Sequence, residues 1–368
     1  MRAALDRAKV DPRLVDEVII GHARQGGSGP NPGRQVVRRA GLADSVPGQT
    51  INQACASGLQ AVAAAAQAIM LGNASVAVAG GIESMSRMPY LVDADDARWG
   101  HRMNHFPLVD AMYRDGFTCS LSGMIMGETA EVLARQYGIT RDQSDQYALE
   151  TQRRAGAAIA ASRFADEIAP VALADAKGRT TTIAADEHPR PETTIEQLRK
   201  LPPVFGEVDG QPGIITAGTS SGITDGGAAL VLVNADQARA SNLPVLARII
   251  GWASAGVDPR IMGIGPVPAM RKLFARTGLT MADFDLVELN EAFAPQVLAV
   301  LRDEPIPAEK LNVNGGAIAL GHPIGCTGAR ILVTLLYEMK RRAAKRGLAT
   351  LCVSGGLGMA MAVELAEG

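Results

Sequence analysis

Apolar residues fall into short continuous runs, and stretches with helical periodicity lie between them. Residues 15–20 read as a strand, followed by a Gly/Pro-rich loop at 26–33. Residues 34–40 read as a short helix closed by Gly41, and 46–52 as a second strand. After Gln53-Ala54-Cys55-Ala56-Ser57-Gly58 comes a long alanine helix reaching about Leu71 and stopped by Gly72. Residues 75–79 are an apolar run, the pattern of a strand covered on both faces, and Gly80-Gly81 is expected to end it.

From about Pro89 to Gly213 the pattern changes. Charges, prolines and most aromatics gather there, and 127–136, 140–161 and 193–200 read as amphipathic helices in an otherwise irregular frame. This is a polar insertion rather than more sheet. Alternation then resumes. Residues 223–233 read as a Gly/Ala helix running into a strand, and 244–253 as a strand. Residues 267–276, 294–301 and 328–345 read as helices, with strands at 284–289, 349–353 and 359–365. Such alternation predicts an α/β fold with a parallel or mixed sheet. The two ends echo each other: an acidic strand start leads in the first to a loop, a helix and a strand ending at Cys55, and in the second to a helix and a Gly-rich turn at His322, and in both a helix and an apolar strand ending in Gly-Gly follow. Two similar halves with an insertion between them follow from that repetition.

Composition narrows the function. Lys+Arg number 36 and Asp+Glu 38, a formal charge of −2, without the basic excess of a nucleic-acid binder. Four cysteines with no Cys-x-x-Cys pair support neither a disulfide framework nor a zinc ribbon. The blandest stretch, 58–71, is too short for a membrane helix of about 20 residues. Met1-Arg2-Ala3-Ala4-Leu5-Asp6 has no apolar h-region, so no secretory signal is expected and the compartment reads as cytoplasmic and reducing.

Chemistry concentrates at strand ends. Cys55 stands between a strand and the N-terminus of an Ala-rich helix, where free N–H groups favour a thiolate. A buried structural cysteine fits the same position. The run Asn312-Val313-Asn314-Gly315-Gly316-Ala317-Ile318-Ala319-Leu320-Gly321-His322-Pro323-Ile324-Gly325 surrounds one histidine with glycines. His322 can act as base or oxyanion donor there, or simply complete a capped turn. Cys352 ends a buried strand before Ser354-Gly355-Gly356, as an acid/base thiol or a core residue. Asn290, opening Asn290-Glu291-Ala292-Phe293, can orient a water or cap a helix. Cys326 reads as packing, and Cys119 is given no role. His101, His105 and Asp110 sit among Arg98 and Arg102 and read as a solvated loop, so no metal site is expected.

Taken together, these blocks resemble the thiolase family of acetyl-CoA acetyltransferases and 3-ketoacyl-CoA thiolases. The nucleophile block is Ile51-Asn52-Gln53-Ala54-Cys55-Ala56-Ser57-Gly58-Leu59. Gly80-Gly81-Ile82-Glu83-Ser84-Met85-Ser86, Met126-Gly127-Glu128-Thr129-Ala130-Glu131, Asn290-Glu291-Ala292-Phe293, the His322 loop and the Cys352 strand follow in the family's order. The resemblance implies duplicated α/β halves in five αβαβα layers, with an inserted loop domain. One half would hold residues 1–88 and 217–240, the loop domain 89–216 and the other half 241–368. By comparison with the family, the opening strand is missing, and that strand is expected at the centre of the first sheet.

The resemblance also implies roles. Cys55 is the nucleophile that becomes S-acylated, His322 its activator, and Cys352 the acid/base at C2 of acetyl-CoA. His322 and an Asn290-held water serve the CoA thioester oxygen. The backbone N–H groups of Cys55 and Ser354 serve the acyl-enzyme oxygen. Arg190 lies near the adenine and phosphate end of CoA, Phe205, Ala217 and Ser221 along the pantetheine, and Met126 and Phe293 at the acyl pocket. CoA thioesters are substrates and no cofactor is implied. The family acts in fatty acid metabolism and β-oxidation, as homodimers and homotetramers. Departures are Ser354 in place of glycine, and Thr219 and Thr224 where asparagines are usual. Ile125 replaces the histidine of acetoacetyl-specific members. The alternatives are a catalytically impaired acyl-CoA-binding paralogue and a ketoacyl-synthase-type condensing enzyme. Cys352 argues against the latter.

Overall fold

The computed structural model describes residues 1–103, 105–175 and 177–366. In chain order the main elements are α1 (Arg2–Ala8), β1 (Glu17–Gly21), α2 (Pro32–Arg39), β2 (Gly48–Ile51), α3 (Ser57–Met70) and β3 (Val76–Ser84). After an excursion holding α4 (Met126–Gln136) and α5 (Arg141–Ala160), the chain returns as β4 (Asp225–Val233). It continues through β5 (Ala247–Gly256), α6 (Pro266–Thr277), β6 (Leu286–Leu289), α7 (Ala294–Asp303), α8 (Ile324–Arg342), β7 (Arg346–Val353) and β8 (Leu357–Leu365).

Period-2 alternation sorts the strand side chains into layers. On β1 and β3, Val18, Ile20, Val76 and Val78 face a cluster with Leu5 of α1 and Val37 of α2. Ile19, Ala77 and Ala79 face the opposite way, into a core shared with α3 and α8. On β7 and β8, Ala349, Leu351, Met359 and Met361 enter that same central core. Leu348, Ala360 and Ala362 meet α6 and α7 on the far side. The order is thus helices, sheet, the α3–α8 pair, sheet, helices. Backbones of the central pair nearly touch. A Cβ on Gly58 would lie 2.8 Å from the Ala329 nitrogen, and one on Gly328 2.5 Å from that of Leu59.

The sheets repeat one topology. The first runs β4-β3-β1-β2, with β1 parallel to both neighbours and β4 antiparallel to β3. The second runs β5-β8-β7-β6, with β6 parallel to β7 and β8 antiparallel to it. In the second, β5 sits at the edge, paired to β8. Its counterpart in the first sheet would lie outside β4. The expectation of a missing central strand is therefore corrected: β3 pairs directly with both β1 and β4. The outer edge of β4 has no strand partner among the described residues, and most of its side chains are half-buried where those of β8 are buried.

Two other expectations change. Gly80-Gly81 does not end β3, which runs on to Ser84. The glycines are there for clearance, since a Cβ on Gly80 would meet the Ala228 carbonyl oxygen at 2.1 Å. Residues 225–233 are strand throughout, without the expected helical start, because ladder bonds to β3 use their backbone groups. Helix α8 begins at Ile324, four residues earlier than read from the sequence, which places its N-terminus immediately after His322-Pro323.

Candidate active site

The turn that carries Cys55 is built by its own polar side chains. Asn52 Oδ1 accepts the Ala54 N–H (2.9 Å), and Ser57 Oγ donates to the Ala54 carbonyl (2.6 Å) while accepting the Gln53 N–H (2.9 Å). These bonds hold Ala54 at φ 45°, a conformation costing a non-glycine residue about 1 kcal/mol or more. The outcome is Cys55 set just ahead of α3, 9% exposed. Burial pushes its thiol up. The N–H of Ser354, the charge of Arg24 and its own N–H pull the other way.

His322 is buried, and burial lowers its pKa to about 3, with Arg330 and Arg24 contributing. It is therefore neutral near pH 7. Its Nδ1 lies 2.7 Å from Thr327 Oγ1, whose hydrogen goes to the Pro323 carbonyl (2.9 Å). Nδ1 then carries the ring hydrogen and Nε2 keeps its lone pair. Thr224 Oγ1 accepts the His322 N–H (3.2 Å), so this departure from the family pattern anchors the histidine loop.

Glu83, one of the residues in the Gly80–Ser86 block, ties the halves together. From β3 its carboxylate accepts the Gly325 N–H (2.8 Å) at the start of α8 and the Arg24 N–H (3.1 Å), and His22 Nε2 lies 3.1 Å away. Sequence reasoning gave Glu83 no function. Its signal was an acidic residue inside an apolar strand. Glu291 does a parallel task, accepting from Tyr147 (2.8 Å), Thr151 (2.9 Å), Asn312 (2.9 Å) and the Ile318 N–H (3.2 Å). It thereby joins the Asn290 strand end, the glycine loop and α5.

Cys352 is 1% exposed, and burial together with the nearby Cys55 raises its pKa far above the usual thiol range. It stays protonated. Asn290 follows β6, its N–H bonded to the Thr350 carbonyl (3.0 Å), and both its side-chain atoms are buried without a partner. An amide with its polar atoms unfilled is a ready site for a water or substrate oxygen. Met126 and Phe293 pack with Cys352, Ala292 and Met262. Ser221 donates its N–H to the Ala292 carbonyl (3.1 Å), Ala217 opens a short turn just upstream, and the Phe205 ring covers Gly127. Arg190 lies apart from this group, exposed, with its N–H on Gln152.

Cys326 is packed in the core, as read. The N–H groups of Ser122, Leu121 and Gly355 point at the Cys119 sulfur, which sets that residue beside the turn after Cys352. No cluster of metal-binding side chains occurs among the described residues.

The family pattern described as "Thiolase, N-terminal domain" matches residues 1–236, and "Thiolase, C-terminal domain" matches 243–365. The chain belongs to the thiolase family. It is 51% identical over 364 residues to the acetyl-CoA acetyltransferase of Escherichia coli K12, covering 99% of this chain and 91% of that one. The acetyl-CoA acetyltransferase of Bacillus anthracis superposes with a TM-score of 0.94 at 44% identity, covering 99% of this thiolase and 90% of the other. Human mitochondrial 3-ketoacyl-CoA thiolase, solved in complex with CoA, gives 0.93 at 42% identity, with coverage of 99% and 90%.

Beneath the site of this thiolase, Glu288 shares the inner face of β6 with Leu286. Burial and the neighbouring Glu291, Glu167 and Glu338 raise its pKa to about 8, against a smaller opposing effect of Arg330. The folded state therefore keeps a proton that the unfolded chain loses near the ordinary carboxylate value. Its contribution to stability is complete below that value and is lost as pH rises through about 8. Glu288→Gln cannot ionise. Its stability relative to the parent is expected to rise by about 4 kcal/mol between pH 5 and 9 in urea melts. A constant difference across that range would refute the assignment.

Proposed function

We propose that this thiolase exchanges acyl groups between CoA thioesters through an S-acyl intermediate on Cys55. The observation that carries the reading is the single site formed by Cys55 with the Ser354 N–H, neutral His322 with its Nδ1 engaged, and protonated Cys352. His322 Nε2 takes and keeps the Cys55 proton, the thiolate attacks an acyl-CoA carbonyl, the C–S bond to CoA breaks, and the departing CoA sulfur takes the Cys352 proton, leaving Cys352 as a thiolate. The N–H groups of Cys55 and Ser354 meet the oxygen that becomes negative. Preorganised donors of this kind are worth about 3 kcal/mol each.

In the second half-reaction the Cys352 thiolate removes a proton from C2 of acetyl-CoA, while protonated His322 Nε2 and an Asn290-held water meet the enolate oxygen. C2 attacks the acyl carbon, the C–S bond to Cys55 breaks, the Cys55 sulfur recovers its proton from His322, and a 3-ketoacyl-CoA leaves. Thiolysis is the reverse. The orphaned amide of Asn290 supports its part. Met126 and Phe293 border the acyl chain, Phe205, Ala217 and Ser221 the pantetheine, and Arg190 the phosphate end of CoA. No cofactor is needed, since every proton and electron pair moves among these residues and the substrates. We place the enzyme in the cytoplasm, acting as a homodimer or homotetramer in fatty acid metabolism. No helix among the described residues is long and apolar enough to cross a membrane.

Incubation with acetyl-CoA followed by peptide mass spectrometry is expected to find one acetyl group on Cys55. Added CoA should remove it, and Cys55→Ala should never acquire it. Absence of the adduct with both acetyl-CoA and acetoacetyl-CoA would refute the proposal.

A further inference from the structure

Arg24 follows β1 and is 8% exposed, comparable to Cys55 at 9% and His322 at 7%. No carboxylate pairs with its guanidinium among the described residues. Nη2 donates to the Gly116 carbonyl (2.5 Å), and Nε is buried without any partner. Glu83, which accepts the backbone N–H of Arg24, is turned to that group, to the Gly325 N–H and to His22. A buried cation left in this state is costly unless something anionic arrives.

The surroundings say where that anion would come from. The Ala23 carbonyl accepts from Asn52, three residues before Cys55 (3.1 Å). Gly325 of the histidine loop has no room for a Cβ, which would lie 2.6 Å from the Ala23 nitrogen. Ala23 and Met112 belong to the central core that also holds Cys55, and Phe117 packs against it. Arg24 is close enough to Cys55 and His322 for its charge to act on both. A buried guanidinium with an unpartnered Nε, acting on both Cys55 and His322 from within an apolar core, matches a short aliphatic chain that ends in a carboxylate. The Cys55 sulfur is the poorer match, because it already receives the Ser354 N–H and no bond from Arg24.

We infer that Arg24 is a specificity residue, and that the acyl group carried on Cys55 is the half-thioester of a short dicarboxylic acid. The inference rests on the thiolase function proposed above. In thiolysis of the matching 3-oxo diacyl-CoA, the Cys55 sulfur bonds to C3 and the C2–C3 bond breaks. Its electron pair takes a proton from Cys352 to give acetyl-CoA. CoA then carries off the carboxyacyl group as its thioester, and the sulfur regains a proton. No oxidant or further reactant is required.

Rates of Cys55 acylation should be measured side by side with succinyl-CoA, glutaryl-CoA, butyryl-CoA and acetyl-CoA, in the parent enzyme, Arg24→Met and Arg24→Lys. In the parent, succinyl-CoA or glutaryl-CoA is expected to outpace butyryl-CoA about tenfold or more. Arg24→Met should lower that ratio about 30-fold, and Arg24→Lys should restore part of it. Because the ratio is taken on one protein preparation, partial misfolding cancels. A parent that acylates with acetyl-CoA and butyryl-CoA but with neither diacid thioester overturns the inference while leaving the thiolase function intact. Equal losses for charged and neutral donors in Arg24→Met also overturn it, and place Arg24 with the Gly116 segment as a general support. A parent that takes no acyl group from any donor overturns the function and the inference together.

Discussion

Cys352→Ala is expected to leave Cys55 able to take an acetyl group from acetyl-CoA, while condensation to acetoacetyl-CoA falls about 10³-fold. The split follows from position. Acylation uses the Cys55 thiol, His322 and the Ser354 N–H, and without Cys352 the departing CoA sulfur can take its proton from water. Condensation additionally needs a proton removed from C2, the task proposed for Cys352, whose buried thiol lies near enough to Cys55 for the two to interact. Alanine removes one small buried group, so the fold should tolerate it. Quantified acetyl adduct and steady-state condensation on the same sample would check the split. Parallel loss of both half-reactions would place Cys352 in the first step as well, and retention of both would remove it from the mechanism.

Gly81→Val is expected to abolish folding to a soluble native state, or to cost about 4 kcal/mol or more where protein survives. A Cβ at Gly81 would sit 2.3 Å from the Gly325 carbonyl oxygen and 2.7 Å from the Cys326 Cα, both backbone atoms of the opposite half. Neither can yield without moving α8, and with it His322. Gly27→Ala is the internal comparison. Gly27 has φ +73° and open space around it, so only the left-handed backbone penalty of about 1 kcal/mol applies. Thermal melts and soluble yield of the two variants would test the contrast, and similar behaviour would mean that the interface between the halves is more pliable than its geometry implies.

Much of this architecture was legible because it is written in local pattern. The apolar runs of β3, β6, β7 and β8, the alanine helix α3 and the polar insertion all emerge from hydrophobic order alone. The misreadings were of one kind. Gly80-Gly81 and residues 225–233 are glycine-rich, and glycine locally signals a break. In the structure those glycines mark contacts with Ala228 and Gly325, partners remote in the chain. The strand expected at the centre of the first sheet likewise depends on pairing order, which only β5 beside β8 reveals.

The site divides the same way. By itself the sequence determined the family, the repeated halves, and the presence of Cys55, Asn290, His322 and Cys352 in blocks whose residues set local turns. Tertiary structure alone decided their chemical states. Burial keeps His322 neutral and Cys352 protonated, Thr327 fixes which ring nitrogen is free, and Glu83 pins the start of α8 to the opposite half. It alone decided that Arg24, an unremarkable arginine in a loop, is buried without a counter-charge beside the nucleophile. The physical reason is that protonation and charge pairing depend on which distant atoms exclude water from a group, and that is a property of packing rather than of neighbours in the chain.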